Sequence, residues 1–274
     1  MPPRLAICVA LLWWTGLVSL CGQTVMPVPQ CSGQWPMWII DGSRVAMIQG
    51  IDAGLAERSF NNPCTFIFGS PSKSSVPQGW VAATTADFET YADFQTAVSK
   101  NSIDPATRAV MYDNEAWSSP ANELADPGRY TALFQSLAHA NGYLFIATPG
   151  AQLMSPQAYL ADIYENQSQY QEDVTSNFVS LLSSATSSAR QANPNVVVFG
   201  GISTAPGGKT VTPDQVYQSV MAAKGLVSGF WLNIPSPGPS CEKCVPADPQ
   251  LTVDFLRRLE AGTSPGQRKR HERP

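Results

Sequence analysis

The chain predicts an α/β fold, a (β/α)8 barrel of the TIM type. Three observations carry that expectation: eight short strand-like runs recur along the chain, all but the polar sixth β-branched or aromatic, amphipathic helices separate the later ones, and about 250 residues remain for one core once the N-terminus is set aside. A near-continuous run such as VVVFGG calls for burial on both faces, which a parallel sheet covered by helices supplies.

Arg4 followed by LAICVALLWWTGLVSL reads as a signal peptide over residues 1–23, with cleavage just after Cys21 or Gln23. It is too short for a comfortable membrane span, and no other segment is apolar for long enough, so no membrane contact is expected after cleavage. The expected location is extracellular. Removing the segment leaves Cys31, Cys64, Cys241 and Cys244, an even set for which an oxidising compartment predicts two disulfides. Their connectivity stays open.

The single domain is placed at 24–262. Residues 24–38, rich in Pro, form a lead-in, and the domain proper starts near Trp38. Strand expectations then fall, in order, on 44–50 (RVAMIQG), 65–70 (TFIFGS), 79–85 (GWVAATT), 108–115 (RAVMYDNE), 143–150 (YLFIATPG), 161–169 (ADIYENQSQ), 195–204 (NVVVFGGIST) and 229–235 (GFWLNIP). Helices are expected at 87–100, 127–141, 172–193 and 212–224. The first third is less regular: no long helix is evident between its strands, and a doubly wound sheet also fits there. The basic tail 263–274 reads as disordered.

With a formal net charge of −4 and only 14% charged residues, the chain has no basic field for nucleic acid, and its polar surface suits a neutral, hydroxyl-bearing ligand. Two histidines, His139 and His271, are too few for a histidine-rich metal site, and helical placement of His139 disfavours a Ser-His-Asp triad. Cys241-Glu-Lys-Cys244 sits in a Pro-rich loop, where a structural disulfide is expected over zinc or redox chemistry. GGISTAPGG lacks the pattern of a phosphate-binding loop. No metal and no cofactor are expected, and no oligomeric state is assigned.

Ligands of such barrels bind where the strands end. The expected strand-end residues are Gln49 and Asp52, Ser70, Thr84, Asp113 and Glu115, Thr148, Glu165, Gln167 and Gln169, Ser203 and Thr204, and Trp231 and Asn233. Asp113 and Glu115, two apart on a strand, leave the same face; if Met111 points into the core, both aim at the barrel mouth. Neighbouring carboxyls push their pKa values apart, so one can keep a proton as general acid while the other stays ionised. Glycosidic bond cleavage uses that division. The plainer alternative has Asp113 capping a loop and Glu115 paired with an arginine such as Arg129.

These residues resemble the chitinase family and its hevamine-like branch, β/α barrels that hydrolyse β-linked N-acetylglucosamine polymers. The family's D-x-x-D-x-D-x-E finds RAVMYDNE here: Asp113 and Glu115 match the last two acids, and Arg108 and Met111 replace the first two. NQSQY is similar to the family's Q-x-Y-N element, with Gln167 matching, Gln169 in the place of its Tyr, and Tyr170 one residue out of register. GFWLN supplies Trp231 where the family has its last-strand Trp. The resemblance implies that Glu115 protonates the glycosidic oxygen while Asp113 steadies an acetamido group that attacks the anomeric carbon. A two-glutamate retaining scheme lacks its second member at the seventh strand, whereas an inverting scheme with Glu115 and Glu165 needs about 6.5–9.5 Å between them. The expected activity is a secreted glycoside hydrolase with a polysaccharide or oligosaccharide substrate and Gln167, Gln169, Tyr170, Trp231, Asn233 and Glu165 on the sugar; the alternative is a non-catalytic barrel that binds carbohydrate or a protein partner.

Overall fold

The structure, a computed structural model, describes residues 27–29, 31, 35–168, 176–238 and 245–263. The signal-peptide segment, Cys241, Cys244 and the tail from 264 lie outside them. Eight parallel strands close into one barrel in sequence order, with the first paired to the last. They are β1 Met37–Asp41, β2 Thr65–Gly69, β3 Ala83–Phe88, β4 Thr107–Tyr112, β5 Leu144–Ala147, β6 Ile163–Asn166, β7 Val197–Ser203 and β8 Gly229–Asn233. Helices α1 Gly42–Ile51 and α2 Ala53–Phe60 follow β1; α3 Tyr91–Ser99 follows β3; α4 Ala121–Ala125 and α5 Pro127–Ala140 follow β4; α6 Ser176–Ala192, α7 Pro213–Ala222 and α8 Pro249–Thr263 follow β6, β7 and β8.

The barrel is as expected, and the first third departs in detail. RVAMIQG is helix α1, not a strand: the Asp41 side chain accepts from the Ser43 and Arg44 amides, capping a helix immediately after β1, and Val45 and Ile48 bury themselves at helical spacing. The first strand lies earlier than expected, at Met37–Asp41, starting at the end of the segment read as lead-in. Gln49 thereby falls within α1, and Asp52 caps α2 and pairs with Arg257 at 2.8 Å in the outer layer. The third strand sits further along the chain than expected, so Thr84 is near its start and Asp87 near its end.

No helix joins β2 to β3. The loop 70–82 takes that place on the outside of the barrel: Ser74 bonds the Thr84 hydroxyl at 3.0 Å, its amide donates to Asp104 at 3.0 Å, and Pro71 accepts from the Asp104 amide. The loop lies close to the sheet because Gly42 and Gly69 leave room for Ser75, which an added Cβ at either position would strike.

Two apolar cores follow from strand alternation. Trp38, Ile40, Ile67, Val110, Phe145, Val198 and Phe230 face the helices, and Phe94, Phe134 and Phe255 from α3, α5 and α8 pack over them. Met37, Ile39, Phe66, Phe68, Met111, Ile146, Ile163 and Phe199 fill the barrel itself. The lower end is closed by the lead-in, whose Val28 and Cys31 pack against that interior core.

Cys31 is joined to Cys64, which stands immediately before β2; this is one of the two expected disulfides. It closes a separation of 33 residues, so replacing both cysteines by serine is expected to lower stability by about 3–4 kcal/mol. Denaturant unfolding with and without the bond measures it; a midpoint unmoved by the double substitution would mean that the lead-in holds the lower end without a crosslink.

Candidate active site

The interior face of each strand carries its last inward residues to the upper end, and there the filling changes from apolar to acidic. On β4 the inward positions run Ala109 and Met111, followed by Asp113; on β3, Ala83, Thr85 and Asp87; on β6, Ile163 and Glu165, followed by Gln167. Met111 is wholly buried in the barrel core, as the alternation of β4 required for Asp113 and Glu115 to face the mouth. The Asp113 amide donates to the Phe88 carbonyl at 2.9 Å, which sets Asp113 beside the end of β3 and hence beside Asp87.

Asp113 is held on one oxygen. Its Oδ1 accepts from Thr148 Oγ1 and from Gln167 Nε2, both at 3.2 Å, and Gln167 Nε2 also donates to the Thr148 carbonyl at 2.9 Å. Burial pushes the Asp113 carboxyl well above the ordinary range; Asp87, Glu115 and Glu165 push it in the same direction, and the Thr148 bond opposes them. Of the plainer alternative, Asp113 does tie neighbouring strand-end segments together through Thr148 and Gln167, whereas Arg129 lies over the Tyr130 ring.

Glu115 is half-buried in the turn that follows β4, where its carbonyl accepts from the Ser118 and Ser119 amides. Its carboxyl lies over Gly150, whose amide donates to the Asn114 carbonyl at 2.9 Å. Burial raises its pKa, Glu89 adds to the rise, and a hydrogen bond from Gln167 opposes it. Gln167 is thus bonded to Asp113 and close enough to Glu115 to oppose the rise of its pKa.

Glu165 is fully buried, and neither of its carboxylate oxygens has a hydrogen-bond partner. Burial, then the charge of Glu115, holds its pKa well above the usual carboxylate range. Trp231 faces the interior beneath the mouth and meets Phe68 edge-on with ring centroids 5.3 Å apart. Asn233 closes β8, its carbonyl accepting from the Thr204 amide at 3.1 Å. The structure brings Asp113, Glu115, Glu165 and Gln167 together, sets Trp231 and Asn233 on the far side of the mouth, and does not describe Gln169 and Tyr170.

Sequence reasoning missed Asp87. The alternation in ATTADF carries it, because Ala83, Thr85 and Asp87 leave one face, but the expected strand stopped at Thr85. One Asp87 oxygen is buried without a partner, and its pKa is pushed up to about 7 by burial, Glu89 and Asp41. Folded protein then binds this proton more tightly than unfolded chain does. Stability from this group is greatest below about pH 4 and is lost as pH rises through about 7. Melting temperature is therefore expected to fall between about pH 5 and about pH 8, and Asp87→Asn to flatten that fall. An equal slope in the variant would place the pH dependence elsewhere.

Among the described residues no three acidic, histidine or cysteine side chains come together as a metal-binding set, and no helix is long and apolar enough to cross a membrane. No family model matches the chain, and no curated protein matches it. Solved structures similar to it include a truncated 3-deoxy-D-arabino-heptulosonate 7-phosphate synthase from Thermotoga maritima, at 11% identity and a TM-score of 0.26, covering 65% of this chain and 84% of that one. A sugar phosphate isomerase/epimerase from Parabacteroides distasonis is similar at 8% identity and a TM-score of 0.34, covering 87% of this chain and 99% of that one.

Proposed function

We propose that the protein is a secreted glycoside hydrolase in which Glu115 protonates the glycosidic oxygen and Asp113 faces the anomeric carbon as its carboxylate partner. The observation that supports this most is the placement of two neighbouring carboxyls at the barrel mouth: Asp113 is fixed by Thr148 and Gln167, and Glu115 is half-buried, with burial raising the pKa of both. A protonated acid beside a fixed carboxylate is the pair that glycosidic cleavage requires: one carries the proton to the leaving oxygen, and the other stabilises positive charge developing on the sugar. Secretion rests on the N-terminal apolar segment behind Arg4 and on the disulfide, which oxidising compartments preserve.

The rival reading, a barrel that binds carbohydrate without cleaving it, draws on Met111, which puts a thioether inside the barrel where the chitinase family has an acid. Asp87 offsets that loss by bringing a carboxyl to Asp113 from the neighbouring strand. Release of reducing ends from chitin, peptidoglycan, β-glucan, arabinan and galactan by the purified protein separates the readings. Hydrolysis of one polymer supports the enzyme; silence on all of them from folded protein that still binds a sugar supports the rival.

Gly150 offers a narrower test. Its backbone, φ −54° and ψ 146°, accepts alanine without strain, but the added Cβ would lie 2.5 Å from Glu115 Oε2. The carboxyl must move, whereas the Asn114 carbonyl, 3.3 Å from the added Cβ, need give by only a few tenths of an ångström. Gly150→Ala is expected to lower kcat/KM by about tenfold or more, with little change in melting temperature. Full activity in this variant would separate Glu115 from the chemistry.

A further inference from the structure

Resting on the glycosidase reading, we propose that the polymer continues past the Asp113–Glu115 pair as a neutral, hydroxyl-bearing chain laid along a groove on the barrel flank, between the loop after β2 and helix α3. The argument starts from the absent helix. Where a helix would cover the sheet between β2 and β3 there is only the loop 70–82, and between that loop and α3 an open groove of about 520 Å³ remains. Sites of about 300–1,000 Å³ hold organic ligands larger than one sugar ring. Pro71 and Ser72 line the groove on the loop side, and Asp93, Thr96, Ala97 and Lys100 on the helix side. The helix residues follow the spacing i, i+3, i+4, i+7, so they share one face of α3 and its C-cap and span about 10 Å.

The groove opens beside the candidate acid pair. Asp87, Phe88 and Glu89 line it where β3 ends, and the Phe88 carbonyl accepts from the Asp113 amide at 2.9 Å. Glu89 is near enough to Glu115 for its charge to raise the pKa of that carboxyl. Both walls are fixed before any ligand arrives. On the loop side, the Asp104 carboxyl accepts from the Ser74 amide at 3.0 Å, and the Asp104 amide donates to the Pro71 carbonyl at 2.8 Å. On the helix side, Thr90 caps α3 by accepting from the Asp93 amide at 3.0 Å, and Phe94 stacks on Phe134 with ring centroids 4.2 Å apart. In a preformed site little binding energy is lost to ordering the protein. The chemistry of the walls matches a chain of sugars. Pro71 and Ala97 present apolar surface to the ring faces, Glu89 and Asp93 accept hydrogen bonds, and Lys100 donates them. The Ser72 and Thr96 hydroxyls do both, as every sugar hydroxyl does.

The test follows hydrolysis and calorimetric binding of oligosaccharides of graded length from chitin, peptidoglycan, β-glucan, arabinan and galactan. In the series that is cleaved, kcat/KM for the longest member is expected to exceed that for the shortest by about tenfold or more, because contacts remote from the reacting bond add to transition-state binding. Thr96→Trp, which puts an indole into the groove from an exposed helix position, is expected to bring that ratio to within about twofold of one. Gln95→Trp adds the same bulk at an exposed position of α3 that does not line the groove, and is expected to keep the ratio. Melting curves first match both variants to wild type. A wild-type ratio near one overturns the groove while leaving the glycosidase standing. So does a ratio that Thr96→Trp retains, or one that both variants lose alike. Binding of the long oligomers without hydrolysis, weakened by Thr96→Trp and not by Gln95→Trp, supports the groove and removes the glycosidase reading; neither binding nor hydrolysis overturns both.

Discussion

Replacing Glu115 with glutamine is expected to lower turnover of the polymer by about 10²–10⁴-fold, the range that loss of a general acid produces. The amide keeps the size of the side chain and can still meet Gln167, so the mouth retains its shape and sugar affinity changes little. What disappears is the proton. An alkoxide leaving group expelled without protonation is a poor one, and no other described group is placed to replace Glu115: Glu165 is wholly buried beneath the mouth, and Asp113 is tied to Thr148 and Gln167. The expected signature is a fall in kcat with KM nearly constant, measured by release of reducing ends. A matching fall in affinity would make Glu115 a binding group.

A loss of stability as large as that of the disulfide is expected at Glu123, which is 1% exposed. Both of its oxygens accept from the Tyr91 amide at 3.1 Å, at the start of α3, and one also accepts from the Tyr112 hydroxyl at 2.6 Å. Tyr112 belongs to β4 and stacks on Phe134 of α5, so this one carboxyl ties α3, α4 and β4 together behind the Glu115 turn. A negative charge also suits the first turn of α3. Glu123→Ala strands the buried Tyr112 hydroxyl and the Tyr91 amide, for an expected loss of about 3–4 kcal/mol. At that loss the melting temperature drops by about 10 °C. Glu123→Gln, which keeps an acceptor for the hydroxyl, is expected to lose less. Equal melting curves for wild type and Glu123→Ala would mean that the α4 segment contributes nothing to the fold.

The barrel was legible because its signals are repeated and local. VVVFGG and YLFIA are apolar on both faces, the helices between them show a regular stripe, and a slip of two residues in any one element does not change the topology. The first third hid its order because the decisive information there is a capping side chain. Asp41 turns RVAMIQG into a helix by accepting two amides, and β-branched content alone points the other way. The missing helix after β2 is likewise written in contacts distant in sequence, Ser74 with Thr84 and Asp104.

At the site, period-two alternation through Met111 carries as far as Asp113; β4 ends at Tyr112 and β6 at Asn166, so Glu115 and Gln167 lie beyond the strands, where alternation no longer sets direction. Asp87 was lost to a strand placed a few residues early. The burial of Glu165 without a donor depends on strands that the chain brings together only on closing the barrel, so no local pattern announces it.

The central claim is that Glu115 gives a proton to the departing oxygen, and leaving-group chemistry tests it most directly. A dinitrophenyl glycoside of the sugar that the polymer assay identifies departs without protonation, whereas the natural linkage does not. For Glu115→Gln the account predicts a loss of about 10²–10⁴-fold on the polymer but a change within about tenfold on the activated glycoside. A loss of equal size on both substrates would contradict it, because Glu115 would then be acting on the sugar ring or on the fold and not on the leaving group.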